Sequence, residues 1–194
     1  IYGLKFDRKG FPYIMGTTTG SWPVVNAAYS NPGSKQFIAK LQPDLSAYVY
    51  STIFGTSIAQ PNISPIAFLV DRCENVYVSG WGGGINGSYS PGTTQGLPET
   101  NPLNGIPIPD GKDFYFFVLE KNAQSRLFAS HFGRNGGLGE HVDGGTSRFD
   151  ANGVIYQAIC GECDGSAGFP ITAGASSCRD NGGYNLAVIK IEMN

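Results

Sequence analysis

The residues best suited to chemistry in this chain are four cysteines, Cys73, Cys160, Cys163 and Cys178, and two histidines, His131 and His141. Cys160-Gly161-Glu162-Cys163 has the spacing of a redox pair. A thioredoxin-like site, however, opens a helix at that motif, and the Asp-Gly-Ser-Ala-Gly of residues 164–168 is a poor helix start. A zinc knuckle would draw on all four thiolates, yet there is a single Cys-x-x-Cys, and Cys73 and Cys178 lie far apart. Disulfides are the plainer expectation, with Cys73, Cys160, Cys163 and Cys178 as candidates; the pairing stays open. Closing Cys163 to Cys178 would bridge a separation of 15 residues (178 minus 163). That closure restrains a loop by about 3 kcal/mol in the chain-entropy model.

The other polar candidates carry bland readings. His131 falls in an apolar run and is expected to be a structural histidine. His141 stands beside Glu140 and Asp143 in a glycine-rich link; this is a small acid–base or metal cluster, or, more simply, a solvated turn. No serine occupies a Gly-x-Ser-x-Gly elbow. Asp150-Ala151-Asn152-Gly153 supplies two side-chain oxygens, well short of what calcium takes. The stretch 105–113 resembles a phosphate loop but ends in Asp and carries two prolines that remove needed N–H donors. No metal or cofactor is expected. Trp81, followed by three glycines, and Tyr89 form a candidate platform for a sugar or peptide; the competing reading packs Trp81 between sheets.

Bulk properties narrow the partners. The formal charge is −2 and no run of five basic residues occurs, so nucleic acid and anionic membrane surfaces are not expected. The apolar run at 114–119 is far too short to span a bilayer. Charged residues make up only 14% against 28 glycines and 12% aromatics, the composition of an all-β extracellular protein. The chain opens at Ile1, so the expectation is a processed chain or a fragment.

The elements that must position these residues are written three times. Leu4-Lys5-Phe6-Asp7, Phe68-Leu69-Val70-Asp71 and Ser147-Arg148-Phe149-Asp150 are each followed by a tyrosine six residues after the aspartate, at Tyr13, Tyr77 and Tyr156. An apolar strand, a turn opened by Asp, and an alternating second strand predict a β-hairpin. Gly10, Asn75 and Gly153 are expected to take the positive φ of the turn. Two further strands, at 36–41 and 48–55, complete the first repeat, and 115–119 and 126–133 match them at an offset of 78. The hairpins differ by 64, so 14 extra residues (78 minus 64) fall in the span 82–112. The third repeat supplies 169–175, which lines up with 22–28, and 187–191, but no fourth strand.

Serial four-stranded units predict an all-β chain. They predict a partial β-propeller of about three antiparallel blades at 1–56, 64–134 and 146–194, the last incomplete. A two-layer sandwich is the alternative. Propellers close with four to eight blades, so the rest of the ring is expected elsewhere in a longer polypeptide.

The Tyr50-Ser51-Thr52-Ile53-Phe54-Gly55-Thr56 segment, the Asp-x-x-x-Asn-Val-Tyr-Val-x-Gly of 71–80, and the Trp/Phe-Pro-x-x-x-x-Ala of 22–28 and 169–175 resemble the SBBP-type β-propeller repeat. The stretch 153–163 followed by Gly168-Phe169-Pro170-Ile171-Thr172 is similar to segments of large surface proteins of gliding bacteria, which carry PKD domains and a sorting domain for type 9 secretion. The resemblance implies export, surface display and no catalytic residues. The expected function is therefore a non-enzymatic module for adhesion, ligand binding or rigid spacing. Its expected partners are the remaining blades or domains of the polypeptide, together with a glycan or another surface protein. The alternative is part of a hydrolase or lyase whose site is completed by blades absent from these residues.

Overall fold

The computed structural model describes residues 1–83, 92–103, 109–136, 139–142, 147–150, 152–161, 168–175 and 185–192. Their strands form three antiparallel sheets. Sheet I runs in order β1 (Gly3–Phe6), β2 (Pro12–Thr17), β3 (Gln36–Leu41) and β4 (Tyr48–Phe54). Sheet II repeats it with β5 (Ser64–Val70), β6 (Val76–Trp81), β7 (Phe114–Leu119) and β8 (Arg126–Phe132), a 3-10 turn at Lys121–Ala123 joining the last two. Sheet III has three strands among the described residues, β9 (Ser147–Phe149), β10 (Ile155–Gly161) and β11 (Asn185–Ile191).

Each opening hairpin is closed by the same device. The Oδ1 of Asp7 accepts the amides of Lys9 and Phe11 at 2.9 and 3.0 Å. Asp71 accepts those of Cys73 and Asn75, both at 2.8 Å, and Asp150 those of Asn152 and Val154 at 2.8 and 3.1 Å. One carboxylate thus satisfies two turn amides that would otherwise depend on water. The third residue after each aspartate takes a left-handed conformation, at Gly10 (φ 83°), Glu74 (φ 68°) and Gly153 (φ 83°). Asn75, expected there by residue type, does not; the turn's geometry counts from the aspartate, and that count lands on a glutamate.

The sheets stack face to face. Tyr13, Met15, Ile38, Tyr50 and Phe54 of sheet I close one core against Phe68, Val78, Tyr115, Phe117 and Leu119 of sheet II, with Phe54 stacked on Phe117 at 4.4 Å. The opposite face of sheet II, including Tyr77, Phe116 and Phe128, closes a second core against Ile155, Ile159, Ile189 and Ile191. The first strands adjoin in series, β1 against β5 and β5 against β9, whereas β4 meets the 3-10 turn.

A second repeat, invisible as a pattern, protects the fourth strands. Val25 pairs with Ser51 of β4 in an isolated bridge, and Thr100 pairs with Ala129 of β8. The next residue in each, Asn26 (φ 49°) or Asn101 (φ 51°), is left-handed and donates its side-chain amide to the carbonyl of Val49 or Leu127. Pro23-x-Val25-Asn26 and Pro98-x-Thr100-Asn101 are therefore one clip at an offset of 75, so the long span 82–112 is not all insertion. Eleven of the extra residues precede the clip (75 minus 64) and three follow it (78 minus 75).

An ion cluster seals the I–II boundary. Lys40 Nζ lies 2.9 Å from Asp7 Oδ2 and 2.7 Å from Glu74 Oε2, with its cation over the rings of Phe11 and Tyr13. Lys121 holds the other oxygen of Glu74 at 3.0 Å. The left-handed glutamate costs about 1 kcal/mol of backbone strain relative to glycine, which these contacts offset. The Lys40 hydrogen bond, supported by Lys121, holds the Glu74 carboxyl down at about 2, against an ordinary 4.5.

Two outcomes follow for stability. Asp71 also receives the Tyr77 hydroxyl and the Asn75 amide on Oδ2, so Asp71→Ala destabilises by about 2–3 kcal/mol and Asp150→Ala by nearer 1, measured as shifts in urea midpoint. The Glu74 contribution is fully present above pH 4.5 and is lost as pH falls towards 2. Glu74→Gln removes that part of the acid limb in a pH series of thermal melts.

Candidate functional site

The densest group of buried polar side chains lies at one end of sheet II, where β6 and β8 finish and β7 begins. Asp113, His131, Arg134, Glu140 and His141 are all buried there. Gly139 (φ 86°) brings its backbone against Lys112, leaving no room for a Cβ. Glu140 N then donates to the Lys112 carbonyl at 3.2 Å, and the link out of β8 is tied to the loop into β7. The Cys160 amide donates to the His141 carbonyl at 2.9 Å, which carries the same link on to sheet III.

Two carboxyls converge above Gly133. A Cβ added at that glycine would strike both Glu140 Oε2 and Asp113 Oδ1, so any larger residue there would displace the two carboxyls. Glu140 Oε1 accepts the Arg134 amide at 3.1 Å and faces the guanidinium Nε at 3.6 Å. Asp113 Oδ2 accepts the Asp110 amide at 3.1 Å. Burial pushes the Asp113 carboxyl up to about 6, with nearby Asp110 adding to it. Burial pushes Glu140 up to about 8, against the pull of the Arg134 amide. Such a pair can hold a proton at neutral pH, which is the chemistry of a general acid. Glu140 has no solvent-exposed surface, however, and its partners are the loops that enclose it. As arranged, the cluster fastens three segments together.

The histidines divide between expectation and correction. His131 is the structural residue anticipated: Nε2 meets the Thr94 carbonyl at 2.8 Å and Nδ1 the Glu99 carboxylate at 2.9 Å. Glu140 and His141 are not a solvated turn, because the link folds inward over the end of sheet II; Asp143 lies outside the described residues. His141 packs against Trp81, with ring centroids 5.9 Å apart.

Trp81 is 4% exposed. It pairs with Phe114 at the end of β6 and belongs to the II–III core, so it offers no flat face to a ligand. Tyr89, the other half of that candidate platform, lies outside the described residues. Cys73 is also a correction, being a free, exposed thiol. Its amide is held by Asp71 at the tip of the second hairpin, facing outward. Cys160, on β10, is disulfide-bonded; Cys163 and Cys178 lie outside the described residues.

Among the described residues, no group of three or more His, Cys, Asp or Glu is placed to hold a metal ion. No helix there is long and apolar enough to cross a membrane. The residues that the sequence reading missed are Asp113, Glu99 and the Pro-x-Thr-Asn clip. Glu99 and the clip had one signal, correspondence with 22–28 at an offset of 75, hidden by the shifted spacing; Asp113 has no counterpart in that stretch. Comparison with models of protein families and with curated proteins gives no match.

Glu140 sets a pH dependence opposite in sign to that of Glu74. Its folded-state value is raised from 4.5 to about 8, so its contribution is fully present below pH 4.5 and is lost as pH rises through 8. Thermal melts of the wild type should fall over that window, and Glu140→Gln should flatten the fall; an unchanged slope would place the titration elsewhere.

Proposed function

We propose that the chain is a segment of a β-propeller, serving as a non-enzymatic extracellular module of a secreted or cell-surface bacterial protein. It acts in adhesion, in ligand binding or as a rigid scaffold. One observation supports the ring arrangement: sheets I and II each turn the face of their hairpin tyrosine, Tyr13 or Tyr77, towards the next sheet, while the first strands adjoin in series. Blades crowd together at their first strands when they radiate from an axis. In a two-layer sandwich the middle sheet would not be covered on both faces by sheets of its own kind.

The partners proposed are the remaining blades or domains of the same polypeptide, and a glycan or another surface protein. Low charge and the resemblance to SBBP repeats of type 9-secreted gliding proteins support export. The polar side chains best placed for chemistry support a scaffold, since Asp7, Asp71, Asp150, His131 and Asp113 each bond the backbone or a structural partner.

A second reading, a hydrolase or lyase site completed by other blades, draws on the raised carboxyls of Asp113 and Glu140. Electron microscopy of the intact polypeptide should show a closed ring of blades with these three in succession, and a glycan array should register binding that survives Glu140→Gln. Hydrolytic or lyase activity lost in Glu140→Gln or His141→Ala would favour the enzyme.

A further inference from the structure

The two boundaries between sheets differ at one matched pair of positions. Tyr13 and Lys40 are cross-strand partners on the covered face of sheet I, and the residue opposite them on the next hairpin turn is Glu74, which accepts from the Tyr13 hydroxyl at 3.4 Å and from Lys40. At the second boundary the partners are Tyr77 and Val118, and the turn residue lying on the Tyr77 hydroxyl is Gly153. A lysine on one sheet is matched by a carboxylate on the next, and a valine by a glycine. Where the lysine is absent, Tyr77 turns its hydroxyl back to its own Asp71 at 3.2 Å.

Sheet III restores the first kind. Tyr156 pairs with Lys190 on β11 and with Arg148 on β9, on the face turned away from sheet II. This is the face that sheet II covers on sheet I. Val188 and Lys190 stand 150 residues after Ile38 and Lys40 (188 minus 38, 190 minus 40). Ile38 is fully buried while Val188 is 70% exposed. Among the described residues, the ion pair of Lys190 is a local one, with Glu192 two residues on.

We infer that the outer face of sheet III binds a four-stranded sheet whose hairpin turn carries Asp or Glu at the third position after its opening aspartate. This rests on the propeller reading and names the chemistry of the neighbouring blade. The other exposed end of the stack does not meet the requirement. Leu4 and Phe6, exposed on sheet I, are the counterparts of Phe68 and Val70 (68 minus 4 and 70 minus 6, both 64), but the turn beside them has Gly10 where sheet II has Glu74. Two copies of this chain stacked head to tail would bring Lys190 against a glycine. The ends are apolar enough to touch and wrong in charge to match, which favours ring closure through a different blade over filaments of this one.

Sedimentation velocity on the 194-residue chain tests the inference. Gly10→Glu supplies the missing carboxylate at a backbone conformation that Glu74 already adopts. It should tighten head-to-tail self-association by about tenfold or more, the worth of one charge-assisted hydrogen bond. Gly10→Gln carries the same backbone cost without the charge and should not tighten it. Adding Lys190→Val to Gly10→Glu should abolish the gain, and carbodiimide cross-linking of the Gly10→Glu variant should join position 10 to Lys190. The inference is overturned if Gly10→Glu associates no more tightly than Gly10→Gln, or if Lys190→Val alone tightens association, as an apolar cover would require. A negative result there alongside a closed ring in microscopy would sink only this inference; an intact polypeptide with no blade over sheet III would sink the propeller reading itself.

Discussion

A β-sheet with apolar side chains on both faces has to be covered twice, and nearly everything in this molecule answers to that requirement. The two central strands of sheet II, β6 and β7, are buried along their whole length and expose no residue on either side. Burial of this kind contributes about 25 cal/mol per Å² of apolar surface, so a sheet of Phe, Tyr and Val is stable only as a layer between others. The hairpin aspartates, the clips and the ion cluster set the register in which the layers meet.

The apolar contacts are plentiful and indifferent to small sliding; Lys40 is not. Buried and held between Asp7 and Glu74, it belongs to a network that is a poor source of net stability but a strong penalty on any neighbour lacking a carboxylate in the right place. The strained backbone of Glu74 points the same way. A glycine would sit there at lower conformational cost, as Gly10 and Gly153 do, so what the glutamate adds is the carboxylate that Lys40 and Lys121 hold. Layer identity is thus written in a few polar positions on otherwise similar faces.

The hairpins were legible because their signal is local: an aspartate, a turn of fixed length and a tyrosine at constant spacing. The strand pattern and sheet order followed, since antiparallel neighbours in sequence pair in space. What escaped notice depends on partners distant in the chain. Glu140 and His141 read as solvent-facing because nothing in a glycine-rich stretch says that it folds over the end of a sheet. Trp81 looked available because the residues after it are glycines, while the residues that bury it come from other strands. The second clip was missed because 11 residues inserted before it broke the spacing (75 minus 64). Residue type favours Asn75 over Glu74 for the left-handed position, and the geometry of the turn overrides it.

The paired clips bear on what the outermost strands can do to other molecules. An unoccupied strand margin several residues long is a template on which foreign chains lengthen into cross-β fibres. Val25 and Thr100 each occupy the central rung of such a margin, at Ser51 and Ala129. They divide it into stubs too short to seed that growth, so a chain rich in tyrosine, phenylalanine and valine can expose a strand at its rim without recruiting its neighbours.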